Sequence, residues 1–421
     1  MKIRKIYINF PMIIVNKVTI ISKKVLKINL KNLYSKSSYK NKFQTKFVNK
    51  YGIAYSCDFY PKKLISDISF IDPKDYQGIF SGSVVYVIAS ALKDWFQKIY
   101  PRLLKENKSI ILVTGDSVRS NPFDSMNIDR DKFNQIMDEG IIYHWFCQNC
   151  DIDLEEYVTP LPVGIDYHTI NRKNFWGEFQ THYIIQDLEM NYVSRNRLND
   201  FKKRKYDLFC DIHLNPSHKQ ERKIAYEKSK SINNAYFVDK QMRRGEYWRK
   251  MRRSKFIVSP RGVGIDCHRS WEAIALGVVP IIKSSNLSNI FEELPVLIVD
   301  SFEELNDSLL RRYKLDKKYD FKKLTLQYWI DLIEMKKISI KPNSSKEGMN
   351  FINKKNLVNE YSINFKEYIR NFLSKQIIRN PFILVMLFIY LIGKIINYLR
   401  IKRVVKFFKR ILKFFIRMIH K

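Results

Sequence analysis

Short apolar runs alternate with amphipathic segments through the middle of the chain. Runs rich in β-branched residues predict buried strands, and segments with apolar residues three or four positions apart predict helices. In the first half we predict a helix over Asp94–Leu104 and four strands, Val84–Ala89, Ser109–Thr114, Ile141–Phe146 and Tyr157–Val163. Strands separated by helices are typical of a mostly parallel sheet with helices on both faces.

The alternation stops over residues 171–205, a polar and aromatic stretch that we predict to be a linker, and then restarts. The second series of predicted strands is Tyr206–Ile212, Ala235–Asp239, Lys255–Ser259, Val278–Ile282 and Val296–Val299, with helices over Lys219–Ser231 and Glu246–Arg253. The pattern predicts an α/β protein with two consecutive doubly wound, Rossmann-like domains, residues 51–170 and 206–345.

The basic charge of the chain lies mainly at its two ends. The 421 residues carry a net charge of +33 and are 45% hydrophobic, enough for two domains with cores of their own. Met1–Lys50 holds thirteen Lys and Arg and no acid, and Lys394–Lys421 holds ten and no acid. We therefore predict a basic arm over residues 1–50, and the mildly basic body favours surface anchors over a nucleic-acid groove.

The C-terminal region has the pattern of a membrane-associated segment. Pro381–Gly393 is uncharged but shorter than the roughly twenty residues that span a bilayer. Lysines then alternate with apolar residues at helical spacing, which is typical of a basic amphipathic helix on anionic lipid. We predict a helical return segment over 346–380 and a membrane-associated tail over 381–421; a helix packed on the protein's own core is the alternative.

Five cysteines form no disulfide framework, which favours the reducing, cytoplasmic side of a membrane over the Golgi or ER lumen. Cys147 and Cys150 form a single C-x-x-C pair without the further ligands that zinc needs. We predict buried thiols there and no metal site.

The segment Ser259–Ile282, SPRGVGIDCHRSWEAIALGVVPII, has the order strand, glycine turn, helix, strand. We expect Gly262 and Gly264 to allow positive φ and close backbone approach, and Asp266 to cap a helix over Cys267–Leu276. This glycine turn, residues 259–267, would lie where a parallel strand ends and a helix begins. Free N–H groups and the helix dipole favour anions at such a position.

The side chains around the glycine turn suit a phosphate or diphosphate. Arg261 and Arg269 carry guanidinium groups that match phosphate oxygens, and Glu272 with His268 lies on the same side of the predicted helix. A carboxylate there would accept the two hydroxyls of a ribose. An exposed Arg269–Glu272 ion pair is the purely structural alternative. A nicotinamide-type fingerprint and a P-loop are both disfavoured, because the required third glycine and the G-K-[ST] sequence are absent.

At these residues the chain resembles the exostosin-like glycosyltransferases, family GT47 with its microbial and viral relatives. The resemblance lies in SPRG-x-G-x-DCHR-x-WEA-x-x-x-G-x-x-P at Ser259–Pro280, with less specific support from LVTGDS, HWFCQN and PLPVGID at Leu112–Ser117, His144–Asn149 and Pro160–Asp166. It implies a GT-B fold, two Rossmann-like domains with the active site in the cleft between them. The second domain would hold a nucleotide-sugar donor, usually a UDP-sugar, without an essential metal or other cofactor.

The resemblance also implies a set of donor-binding residues. They are Arg222, Ser259, Arg261, Gly262, Gly264, Asp266, His268, Arg269 and Glu272. Within this set Arg261 and the two glycines would shape the diphosphate site, Arg269 would pair with the diphosphate, and Glu272 would hold ribose or sugar hydroxyls.

Transfer to a glycan, polysaccharide or glycolipid acceptor also needs a base in the first domain. Asp116 is our first candidate, Asp166 the second and His144 the third, although each also fits a role in a turn. One alternative function is a basic nucleic-acid-binding protein, for which the short runs Lys202–Lys205, Arg243–Arg244 and Arg252–Arg253 would be the evidence. No recognised nucleic-acid-binding motif accompanies them, so we expect no nucleic-acid partner. The other alternative is a nucleotide-sugar-binding protein without activity.

Overall fold

The computed structural model describes residues 45–152, 156–173, 175, 180–194, 201–214, 218–315 and 318–339. All of them belong to the first of the two compact units into which the chain divides, residues 1–345. The predicted return segment and tail, and all but the last six residues of the predicted arm, lie outside the described residues. Within the described ranges no helix is both long and apolar enough to cross a membrane.

The first sheet consists of four parallel strands in sequence order, β1 Val84–Ile88, β2 Ile110–Gly115, β3 Ile142–Gln148 and β4 Val158–Leu161. All four strands start within one residue of the prediction. The helices before and between the strands are α1 Lys50–Ser56, α2 Leu92–Lys98, α3 Tyr100–Lys105, α4 Phe123–Met126 and α5 Arg130–Asp138.

The single helix predicted over Asp94–Leu104 is in fact two helices, α2 and α3. Pro101 is the second residue of α3. In one continuous helix its ring would clash with the carbonyl of the residue four positions earlier, whereas the first turn of a new helix accepts proline readily.

The prediction of double winding does not hold for the first sheet. Its described strands follow sequence order without a reversal, so right-handed crossovers carry the intervening helices to one face. A helix from later in the chain, Leu326–Ser339, contacts both β2 of this sheet and α1. Residues 326–339 were assigned to the second domain, but Lys337 Nζ lies 2.6 Å from Oδ2 of Asp58, and the same oxygen accepts from the N–H of Val84 at the start of β1.

The end of the predicted basic arm is built into the core. Phe47 and Val48 are completely buried, and the N–H of Val48 donates to the carbonyl of Leu324 at 3.1 Å. The carbonyl of Val48 in turn accepts from the N–H of Ile165 at 2.8 Å. The prediction of an arm is therefore wrong for residues 45–50, because a β-like segment only six residues long gives no clear periodic signal.

The stretch predicted as a linker contains regular structure. A short helix α6, His168–Arg172, extends into its start, and α7, Tyr183–Val193, lies inside it. The buried Asp187 of α7 accepts hydrogen bonds from the backbone N–H groups of Lys46 and Phe47 and from the hydroxyl of Tyr167. Polar residues that suggested a solvated linker are thus used in buried contacts with distant parts of the chain.

The second sheet has five parallel strands, β5 Tyr206–Cys210, β6 Ala235–Phe237, β7 Ser254–Val258, β8 Val279–Lys283 and β9 Leu297–Val299. Their order is β6-β5-β7-β8-β9, so this sheet is doubly wound as predicted. Its helices are α8 Lys219–Lys230, α9 Arg244–Met251, α10 His268–Leu276 and α11 Asp307–Arg312, and the helix Leu326–Ser339 is α12. Short 3-10 turns lie at Pro73–Tyr76, Ala89–Ala91, Phe201–Lys203, Ser288–Phe291, Phe302–Glu304 and Lys322–Leu324.

Alternation along the second sheet divides its side chains between two cores. On β7, Phe256 and Val258 belong to a cluster confined to one face of this sheet, while Ile257 belongs to a larger cluster. That larger cluster also contains the first sheet, for example Phe146, and so both sheets share one continuous core. The chain is α/β, with two parallel sheets and helices. The carboxyl edges of the two sheets position the site.

Candidate functional site

The strand order of the second sheet reverses between β5 and β7, and ligands of open α/β sheets bind at the carboxyl ends of strands at such a point. At this point Arg222 of α8 connects the loops that follow β5 and β7. Its Nε donates to the carbonyl of His213, after β5, and its Nη1 donates to the carbonyl of Arg261, after β7, both at 2.7 Å. Only 4% of Arg222 is exposed, so a charged side chain joins the two loops from inside.

Arg269, on the first turn of α10, has an incomplete set of hydrogen bonds. Its Nη1 is buried and has no hydrogen-bond partner among the described residues. Burial opposes the charge, but Cys267, Tyr247 and Asp211 outweigh it and raise the pKa of Arg269 above its usual value. The guanidinium therefore stays charged, with one donor atom available.

The two arginines lie close enough to repel each other. Burial, and then the charge of Arg269, lower the pKa of Arg222. An anion between the loops after β5 and β7 would relieve this repulsion and complete the hydrogen bonds of Arg269. The N-terminus of α10 adds to the attraction, because Cys267 at the N-cap gives it no side-chain hydrogen bond.

Arg261, by contrast, is already paired. Its Nη2 lies 2.7 Å and its Nε 3.1 Å from Oε2 of Glu221, and its backbone N–H donates to Oε1 of the same carboxylate. The expected diphosphate contact from this guanidinium is therefore already met by a carboxylate. The backbone of Arg261, held by Arg222, shapes the loop instead.

The two glycines of the turn do not have the positive φ angles that we expected from the sequence. Neither Gly262 nor Gly264 lies in the left-handed region. A methyl group on Gly264 would lie 2.7 Å from Nδ2 of Asn149, whereas one on Gly262 would meet nothing within 4 Å. Gly264 thus permits close approach to the first sheet, and Gly262 borders open space.

Alanine at these two positions should give opposite results. Gly264→Ala is expected to lower the free energy of unfolding by about 1–3 kcal/mol, because Asn149 is fixed by hydrogen bonds and cannot move aside cheaply. Gly262→Ala should change stability by less than about 0.5 kcal/mol. Urea denaturation of both variants checks this, and equal losses of stability would contradict the geometry.

Asp266 is not the N-cap of α10, which the structure places at Cys267. Its Oδ1 accepts from the backbone N–H of Cys267 at 2.7 Å, and its Oδ2 accepts from Nε1 of Trp271 and from the N–H of Val163, both at 2.8 Å. Burial raises the pKa of Asp266 to about 6. Asp266 therefore joins the glycine turn to the loop after β4 and does not contribute a free carboxylate.

Direct contacts join the edges of the two sheets at this point. Oδ1 of Asn149, after β3, accepts from the N–H of Asp266 at 2.9 Å, and its Nδ2 donates to the carbonyl of Ser117, after β2, at 3.2 Å. Nδ1 of His268 lies 2.8 Å from the carbonyl of Gly164, after β4. The family resemblance implied a cleft between the two domains, whereas at these residues the two edges are in contact.

Glu272 lies one turn along α10 and is buried. Its Oε2 accepts from Nε1 of Trp248 at 3.1 Å, and burial raises its pKa. Burial also lowers the pKa of His268, which favours its neutral form. The predicted carboxylate is thus present on α10, where the charge of Arg244 acts on it and one of its oxygens accepts from the indole of Trp248.

Among the three candidate bases, Asp116 has an available oxygen. It follows β2 in the left-handed region, with φ of 59°, and is buried. Oδ1 accepts from Nζ of Lys50 at 2.6 Å and from the hydroxyl of Ser66. Oδ2 is buried and has no hydrogen-bond partner among the described residues.

Asp166 is fully engaged. Oδ1 lies 2.9 Å from Nδ1 of His168 and accepts from the N–H of Thr169, while Oδ2 accepts from Thr169 Oγ1 at 2.7 Å and from Nη2 of Arg244 at 3.1 Å. Burial opposes ionisation, but Arg244 and His168 outweigh it and hold the pKa of Asp166 well below its usual range. Its geometry fits a structural anion that joins α6 to α9.

His144 lies inside β3, four residues before its end, and the structure does not bring it to the other candidates. It is buried, with Nε2 2.8 Å from the hydroxyl of Thr159. Burial, with Lys336 of α12 adding to the effect, lowers its pKa to about 4. This histidine is neutral in the folded chain and packs under α12.

His144 is expected to make the protein acid-labile. Since its folded pKa of about 4 lies below the ordinary 6.5, its contribution is complete above pH 6.5 and is lost as the pH falls towards 4. As the pH falls from 6.5 to 4, the free energy of unfolding of the wild type should therefore drop by about 3 kcal/mol more than that of His144→Gln. Denaturation at a series of pH values measures it. Thr159→Val, which keeps the imidazole, should keep the loss, and an equal loss in His144→Gln would refute the assignment.

Several residues of this region were not predicted from the sequence: Lys50, Ser66, Asn149, Arg244 and Trp248. In the local sequence, Lys50 is part of the basic N-terminal run and Arg244 is part of the short basic run Arg243–Arg244. Neither pattern indicated a role in the site. One signal was available for Asn149, because polar residues directly after parallel strands meet at one edge. Two such residues, Asp116 and Asn149, have φ of 59° and 49°.

Two further observations concern metals and thiols. Within the described residues there is no group of three or more His, Cys, Asp and Glu side chains placed to hold a metal ion. Cys147 and Cys150 are both buried free thiols, and burial raises the pKa of Cys147 well above its usual value.

Comparison with known proteins adds little to this picture. No protein-family model matches the chain, and no curated protein matches it. Among solved structures, the N-terminal domain of Candida albicans trehalose-6-phosphate phosphatase aligns over 63% of this chain and 72% of its own, with 12% identity and a TM-score of 0.34. A likeness of that degree carries no functional argument, and so function is argued from the side chains.

Proposed function

We propose that the protein is a glycosyltransferase of the GT-B type, related to the exostosin-like family, that moves a sugar from a nucleotide sugar to a glycan, polysaccharide or glycolipid. A UDP-sugar is the proposed donor, and no metal or other cofactor is part of the proposal. One observation carries it. Arg222 and Arg269 converge on the point where the strand order reverses, and Nη1 of Arg269 is buried without a partner.

The donor fits these side chains by charge and by position. A diphosphate would take the free donor of Arg269 and the N–H groups at the start of α10, with Arg222 holding the loops around it. Gly262 leaves open space beside that position. Glu272 follows Arg269 by one turn of the same helix, and its carboxylate would accept hydroxyls of the ribose or the sugar.

The acceptor would come from the side of the first sheet. Asp116 directly follows β2 and has one oxygen without a hydrogen-bond partner among the described residues. Asn149 links Ser117, which follows Asp116, to the glycine turn. In the transfer the acceptor oxygen bonds to the anomeric carbon while the bond from that carbon to the diphosphate breaks. Asp116 takes the hydroxyl proton, and the arginines stabilise the charge that develops on the leaving nucleoside diphosphate.

The basic ends of the chain suggest where transfer takes place. We include in the proposal that they bind an anionic membrane surface on the cytoplasmic side, which would suit a glycolipid acceptor.

The experiment that tests the proposal is calorimetric titration of the full-length protein with UDP, GDP, ADP and CMP and with their sugars. We expect the wild type to bind one of these nucleotides. Glu272→Gln should weaken the binding of the corresponding nucleoside and leave the affinity for inorganic diphosphate unchanged. A folded protein that binds none of them would remove the proposal.

Two other outcomes identify the alternative functions. Donor binding without turnover on a broad acceptor panel indicates a nucleotide-sugar-binding protein without activity. Binding to nucleic acid that weakens steeply with salt, in the absence of nucleotide binding, indicates a nucleic-acid-binding protein.

A further inference from the structure

The buried ion pair between Lys50 and Asp116 has no place in the donor site. We propose that Lys50 is a positioning residue: it holds one oxygen of Asp116 so that the other is left for the acceptor hydroxyl. This inference rests on the proposed transferase function and adds to it a residue that acts through the base.

The contacts divide the two oxygens of Asp116 unequally. Nζ of Lys50 lies 2.6 Å from Oδ1 and 3.0 Å from the hydroxyl of Ser66, which donates to the same Oδ1. Oδ2 receives no hydrogen bond from the described residues. The backbone N–H of Asp116 donates to Oε1 of Gln148, which fixes the main chain at the end of β2. Side chain and main chain are therefore both held, and one buried oxygen has no hydrogen-bond partner among the described residues.

The position of Lys50 is unfavourable unless the ion pair has a use. Lys50 is the first residue of α1, where the helix dipole disfavours a cation, and only 5% of it is exposed. Burying an ammonium group also costs free energy that an ion pair rarely returns in full. An apolar residue would satisfy packing at lower cost, so packing alone does not explain a lysine here.

Several groups face Lys50 from the elements around it. Asp116 comes from the end of β2, Ser66 from the segment before β1, Asp166 from the loop after β4 and Arg172 from α6, while the ring of Tyr51 lies 5.1 Å from Nζ. Burial is the main influence and lowers the pKa of Lys50 to about 8, although Asp116 works against it. The ammonium is therefore present at pH 7 and is lost as the pH rises through about 8.

The test uses full-length protein and the pH profile of sugar transfer. In the wild type, kcat should fall as the pH rises above about 8, when the ion pair is lost. In Lys50→Met, kcat at pH 7 should be lower by about 10–100-fold, without that alkaline decline and with unchanged nucleotide affinity. Lys50→Arg should recover part of the rate and keep it above pH 8, because an arginine stays charged. Lys63→Met, at an exposed lysine, is the matched control.

The outcomes separate this inference from the proposed function. Transfer by the wild type together with an unchanged rate and pH profile in folded Lys50→Met would overturn the role of Lys50 and leave the transferase proposal standing. If Lys50→Met does not fold, a wild-type kcat that does not fall near pH 8 would also overturn the role of Lys50. Absence of transfer by the wild type at every pH, despite nucleotide binding, would overturn both.

Discussion

Replacing Arg269 with alanine is expected to weaken binding of the nucleoside diphosphate by about a hundredfold, or about 3 kcal/mol. The guanidinium is charged, and its Nη1 is buried without a partner among the described residues, so a diphosphate oxygen would gain a charge-assisted hydrogen bond there. Titration calorimetry with wild type and variant measures the difference directly. The loss should be largest for diphosphates and small for the nucleoside alone.

The same substitution should leave the protein folded. Removal of Arg269 relieves its repulsion with Arg222 but loses its favourable interactions with Tyr247 and Asp211, so the free energy of unfolding of the free protein is expected to fall by about 1–3 kcal/mol. Arg311→Ala, an exposed arginine on α11, is the matched control and should bind as the wild type does. Arg269→Lys keeps the charge but loses the planar fork, and an intermediate affinity is expected. Full affinity in folded Arg269→Ala would exclude this guanidinium from the donor site.

Local sequence patterns predicted the strands of both sheets well because each strand is a short apolar run bounded by polar residues. The glycine turn was placed correctly between β7 and α10 for the same reason, since strand, turn and helix signals follow one another over residues 254–276. The chemistry of individual side chains depended on distant partners. From the sequence, Arg261 was predicted to bind phosphate, whereas in the structure its guanidinium pairs with Glu221, forty positions earlier.

Segments whose partners lie far along the chain were the ones that sequence analysis misjudged. Residues 45–50 contact the loop after β4 and the start of α12, and Asp187 of α7 holds their backbone. Neither segment has a strong period of its own, so one was predicted as an arm and the other as a linker. Lys50 belongs to this group: its charge fitted a basic tail, and only the fold brings it to Asp116, sixty-six positions later.

Among the candidate bases, the structure distinguishes Asp116 from Asp166 by their free oxygens. Asp116 has one oxygen without a partner among the described residues, whereas both oxygens of Asp166 are engaged, one of them by Arg244. The two carboxylates should therefore respond differently when each is replaced by asparagine. One substitution should affect the rate of transfer, and the other should affect stability.

Asp116→Asn is expected to lower kcat for sugar transfer by about 10²–10⁴-fold without changing nucleotide affinity, because an amide cannot take the proton of the acceptor hydroxyl. Lys50 loses its anionic partner, but its pKa is already lowered to about 8, so it can release its proton and the fold should tolerate the change. Asp166→Asn should instead lower the free energy of unfolding by about 3–5 kcal/mol, because the buried Arg244 loses the carboxylate that balances its charge and keeps neutral hydrogen bonds, such as that to Gln186. Single-turnover transfer assays and urea denaturation on both variants separate the two effects. A folded Asp116→Asn protein that transfers sugar at the wild-type rate would rule out Asp116 as the base.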